Sequence, residues 1–125
     1  MEEKQPTFSE QELNELCEEA IRYRDMGSKE GFDKAIELLT FASELGYADA
    51  KLYLAQSYTC NPALIDVEKA EYWYNEWYAC EKENFKNEEP LLLGLEISYK
   101  NMMSSLKNIK KREEQRARIA LRRKN

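Results

Sequence analysis

Residues 66–80 read DVEKAEYWYNEWYAC, and the fold is decided there. Asp66 has the side chain of a helix N-cap, and after it Ala70, Trp73, Tyr74, Trp77 and Cys80 recur at three- and four-residue steps, a helix with a heavily aromatic core face. Moving back 35 residues lays Asp33-Lys34-Ala35 over Glu68-Lys69-Ala70, and Leu38 and Leu39 over Trp73 and Tyr74. Recurrence at that spacing, with two helices per period, marks an array in which each helical hairpin buries its apolar face on the next.

Working outward, the same rules predict the other helices. Ser9 with Glu12 three residues on forms a capping box, Phe8 and Leu13 are spaced as a hydrophobic staple, and Leu13, Leu16, Cys17, Ala20 and Tyr23 share one face that stops at Gly27. A second helix is expected from about Gly31 or Phe32 to Leu45, with Gly46 past its end, and a third from about Asp49 to Tyr58, broken by Asn61-Pro62. Pro90 suits the first turn of a fifth helix, whose stripe of Leu92, Leu95, Tyr99, Met102, Met103, Leu106 and Ile109 ends near Ile109. The fold expected is all-α: a short antiparallel helical-hairpin repeat array, a right-handed α-solenoid of about five helices, with a basic C-terminal helical extension. Residues 1–109 form the repeat domain and residues 110–125 the tail.

Two strings carry a resemblance to a known family. Lys69-Ala70-Glu71-Tyr72-Trp73-Tyr74 is similar to the opening of the second helix in tetratricopeptide-like repeats of the Sel-one-like branch. Gly46 to Tyr58, with Ala50, Leu54, Ala55 and Tyr58 in packing roles, resembles that family's hairpin junction. The chain departs from the pattern where Asn61-Pro62 replaces a glycine-rich turn and where Glu81 stands in place of a closing glycine. The resemblance covers about residues 10–106, some two and a half hairpins. It implies an adaptor or scaffold that binds protein, and it supplies no catalytic residue.

Composition narrows the chemistry. Only 4 glycines and 3 prolines favour helix, and no run approaches the roughly 18 apolar residues that span a bilayer. The start, MEEKQPTFSE, lacks a basic segment followed by an apolar one, so the expected location is cytoplasmic. There is no histidine, which removes the commonest general base at neutral pH and the commonest nitrogen ligand for metals. Cys17, Cys60 and Cys80 lack zinc spacing and read as reduced structural thiols, and no glycine-rich phosphate loop is present. No enzyme activity, cofactor or metal is expected.

Binding is the remaining class. The first helix of each hairpin usually lines the concave surface, and projecting away from the core stripes places there Glu15, Glu18, Glu19 and Arg22, then Tyr53 and Gln56, then Ile97, Lys100, Asn101 and Ser104. Tyr53 and Ile97, apolar yet directed away from the core, are candidate anchors for a protein partner. Tyr72 and Tyr78 flank the fourth helix, covered either by neighbouring helices or by a partner such as a second copy in a homodimer.

Charge is divided along the chain. Residues 1–99 carry 9 Lys/Arg against 22 Asp/Glu, a balance of −13; residues 100–125 carry 10 against 2, a balance of +8. Lys110, Lys111, Arg112, Arg116, Arg118, Arg122, Arg123 and Lys124 admit three readings: a solubilising extension, a segment that docks on the acidic body of its own or a second copy, or a binder of nucleic acid or acidic membrane surfaces. With no aromatic interleaved, sequence-specific reading of bases is not expected. The acidic body also admits use as a mimic that occupies the nucleic-acid groove of a target.

Overall fold

The computed structural model describes residues 7–124; residues 1–6, which hold most of the stretch read for a leader, and Asn125 lie outside it. Five helices follow one another: α1 (Glu10–Asp25), α2 (Lys29–Glu44), α3 (Ala48–Cys60), α4 (Val67–Asn84) and α5 (Glu89–Lys124). No strand occurs among the described residues, so the chain is all-α.

Local chemistry sets the helix ends. The Ser9 hydroxyl accepts from the Glu12 N–H at 3.1 Å while the Glu12 carboxylate accepts from the Ser9 N–H at 3.1 Å, completing the capping box. Asp66 accepts from the Lys69 N–H at 3.1 Å and opens α4 as its side chain predicts. Helix α2 starts earlier than Gly31, because the Ser28 hydroxyl accepts from the Gly31 N–H at 3.0 Å and caps a helix beginning at Lys29. Gly31 therefore sits in the first turn, where a Cβ would collide with the Tyr23 carbonyl oxygen of α1.

Gly27 and Gly46 take φ of 76° and 86°, the left-handed conformation a helix stop asks of them. At Gly46 two bonds close the end of α2: Gly46 N–H to the Ser43 carbonyl at 3.0 Å, and Tyr47 N–H to the Ala42 carbonyl at 3.3 Å.

Each helix packs on the next, and α1 also touches α3. Contacts at opposite ends show that consecutive helices run antiparallel. Phe8 before α1 meets Phe41 late in α2, Phe32 early in α2 meets Tyr58 late in α3, and the Cys80 thiol late in α4 meets the Gly46 carbonyl just before α3. The main core joins Leu13, Cys17, Leu39, Leu54 and Tyr74 with Leu106 of α5. A smaller cluster of Ala48, Trp77 and Leu95 has Tyr78, Phe85 and Tyr99 packed round it. Helix α5, with 36 residues, is about 54 Å long against about 27 Å for the 18-residue α4. Its last buried side chain is Leu106 and Ile109 is half-buried, while residues 114–124 are all exposed. The expected boundary at 109/110 falls inside this unbroken helix, at the point where burial fades.

Candidate functional site

A groove of about 220 Å³ opens where the end of α3, the middle of α4 and α5 converge. Tyr74, Met102, Leu106 and Ile109 give it an apolar lining, and Thr59, Asn101 and Ser105 supply the polar groups. Tyr74 is buried, which raises its phenol pKa, and the nearby Thr59 hydroxyl works against that rise. Of the residues expected on a concave surface, only Asn101 lines this groove. Ser105 lies one turn beyond Asn101 on the same flank and was legible by that spacing; Thr59 comes from another helix and was not.

The other expected residues are divided among different places. Tyr53 is half-buried and packs against the main core instead of projecting from it. Helix α3 is packed by α2 and α4 on either side, which leaves Tyr53 little open flank; separately, the Ser57 hydroxyl donates to the Tyr53 carbonyl at 2.7 Å and accepts from Arg24 Nη1 at 3.2 Å, tying the ends of α1 and α3 together. Gln56 is half-buried beside it. Ile97 is 54% exposed and Ser104 is exposed, while Lys100 pairs with Glu96 at 3.2 Å along α5.

Glu15, Glu19 and Arg22 line a separate hollow of about 510 Å³ on the outer side of α1. Phe8, Leu16 and Phe41 give it apolar surface, and Glu12 and Glu18 add two more carboxylates. Phe8 and Phe41 meet edge to face with centroids 5.6 Å apart. Sequence reasoning missed Phe41 because it assigned the outer surface by α1 alone, whereas α2 leaves a phenylalanine at the same edge. Among the described residues none of Glu10, Glu12, Glu15, Glu18 and Glu19 has an ion-pair partner.

The two tyrosines of α4 part company. Tyr78 stacks on Tyr99 with centroids 4.1 Å apart, and the Tyr99 hydroxyl donates to Asn75. Tyr72 is exposed and rests edge-on against Trp73. In the tail Arg116 pairs with Glu113 at 3.1 Å. Lys110, Lys111, Arg112, Arg118, Arg122 and Arg123 are exposed and form no ion pair among the described residues.

Among the described residues the titrating groups whose pKa is displaced, Cys17, Tyr47, Tyr58 and Tyr74, are all shifted toward the neutral form. Burial pushes the Cys17 thiol up to about 11 and the Tyr47 phenol up to about 12, with Asp49 adding to both, and burial raises Tyr58 as well. A thiol shifted that way is a poor nucleophile near neutral pH. Among the described residues no three of Cys, Asp and Glu converge closely enough to hold a metal ion, and no helix is long and apolar enough to cross a membrane. No protein-family model, no curated protein and no solved structure matches this chain.

Proposed function

We propose that this chain is a non-enzymatic protein-binding module, a tetratricopeptide-like array of the Sel-one-like branch that holds a cytoplasmic protein partner in the groove between α3, α4 and α5. The observation that carries the reading is the groove itself: an apolar lining from Tyr74, Met102, Leu106 and Ile109 beside the amide of Asn101 and the hydroxyls of Thr59 and Ser105. Apolar surface supplies affinity when covered, and a few fixed polar groups set orientation. The Lys-Ala…Trp-Tyr string and the antiparallel pairs α1/α2 and α3/α4 support the family assignment, in which right-handed stacking would turn the groove to the concave side.

An affinity purification from native lysate tests this, comparing the natural chain with an Asn101→Arg, Ser105→Arg variant whose long side chains fill the groove. Both positions are exposed, so circular dichroism should remain unchanged. A partner recovered by the natural chain and lost by the variant is the expected result. Equal recovery by the two removes this groove as the binding surface.

A further inference from the structure

We infer that the outer hollow of α1 is a dock for the basic tail helix of a second copy of this chain. The hollow combines the apolar surface of Phe8, Leu16 and Phe41 with the carboxylates of Glu12, Glu15, Glu18 and Glu19; Arg22 is the cation among its lining residues. Apolar surface bordered by carboxylates calls for a helix of the opposite make, cationic with an apolar stripe.

The far end of α5 is a strongly cationic helix whose apolar positions gather mainly on one flank. At 100° per residue Ile109, Ala117, Ala120 and Leu121 fall within one flank of about 120°, a continuation of the seam that Leu95, Met102 and Leu106 present to the body, with Lys110, Glu113 and Lys124 set among them. Arg112, Arg116 and Arg123 border that flank on one side and Arg118 on the other, while Lys111 and Arg122 stand on the far face of the helix. Residues 110–124 extend about 22 Å, close to the roughly 24 Å of the 16-residue α1. The tail cannot serve its own hollow without breaking, since α5 packs on α4 and has no glycine or proline between Lys110 and Lys124 at which to turn back. A second copy supplies the match, in a contact between two different surfaces. Such a contact closes into a dimer when the exchange is reciprocal and otherwise grows into a chain of copies.

Size-exclusion chromatography with light scattering on the full chain tests the inference independently of the α3–α5 groove. At about 50 mM salt the natural chain should exceed its monomer mass of 14.8 kDa, and at about 500 mM it should fall toward that mass as the charges are screened. A hollow variant, Glu15→Lys with Glu19→Lys, and a tail variant, Arg118→Glu with Arg123→Glu, should each self-associate about tenfold or more weakly. Mixed together they should form a complex, because each retains the surface the other has reversed. One chain carrying all four changes should associate again. All four positions lie away from the buried core, so circular dichroism serves as the check on folding. Undiminished self-association of either variant, or a mixture that stays monomeric, overturns the proposal. So does a natural chain that remains at 14.8 kDa in low salt yet retards a fluorescent nucleic-acid duplex, which would assign the tail to phosphate.

Discussion

Two serines lie in the core, Ser43 at 3% exposure and Ser57 at 0%, and replacing each with alanine should shift stability in opposite directions. The Ser43 hydroxyl has no hydrogen-bond partner. Removing a buried unsatisfied hydroxyl relieves about 1–3 kcal/mol, and alanine adds up to about 0.5 kcal/mol of helix propensity, against which the small void left behind counts. Ser43→Ala should therefore stabilise by about 1–2 kcal/mol. Ser57 gains the same propensity but loses the bond it donates to the Tyr53 carbonyl and the bond it accepts from Arg24. A hydrogen bond to a charged donor is worth about 1.5–3 kcal/mol, and Arg24 already has its Nε without a hydrogen bond, Asp25 standing 3.7 Å away, so Ser57→Ala should destabilise by about 1–2 kcal/mol. Urea unfolding followed by the fluorescence of Trp73 and Trp77 measures both. At about 4 °C per kcal/mol for a chain of this size, the variants should melt about 8–16 °C apart. Shifts of the same sign would refute the claim that partner satisfaction, rather than the bare burial of a hydroxyl, decides these sites.

Gly31→Ala should lower stability by about 1–3 kcal/mol despite alanine's better helix propensity, because the new methyl meets the Tyr23 carbonyl; chemical denaturation reads the loss. Trp77→Ala, which empties a site only 6% exposed, should cost about 3–5 kcal/mol, whereas Tyr72→Ala, at 55% exposure, should stay within about 0.5 kcal/mol. Stability should also fall at alkaline pH. The Cys17 thiol ionises near 9.0 when unfolded and near 11 when folded, so between those values the unfolded chain binds fewer protons, and stability drops as pH rises. Urea midpoints measured across that interval should decline less steeply in Cys17→Ala, with Tyr47 accounting for part of the residual slope.

What could be read from sequence was set by short-range chemistry. Ser9, Asp66, Gly27 and Gly46 do what their side chains, or the lack of one, dictate within a turn of the helix, and the structure keeps each of those roles. The start of α2 was misplaced because Gly31 reads as a helix breaker. It is tolerated in the first turn, where the neighbouring helix leaves no room for a Cβ. Surfaces were harder to read than helix ends. Whether Tyr53 lies open depends on how α2 and α4 close on α3, and whether Glu15 and Glu19 share a surface with Asn101 depends on how α2 sits beside α1. Helical period assigns a residue to a flank, but neighbouring helices decide which flank remains open.

Because each helix packs chiefly on its sequence neighbour, most of the tertiary contacts close only short loops. Chains built that way fold on the microsecond-to-millisecond scale, since little loop entropy is lost before contacts form. They also open from their ends. Helix α3, held by α2 and α4 and touched by α1, should exchange its amide hydrogens most slowly. Protection should decline outward to α1 and fall furthest along the exposed turns of α5, so that the chain breathes at both edges while its middle stays shut.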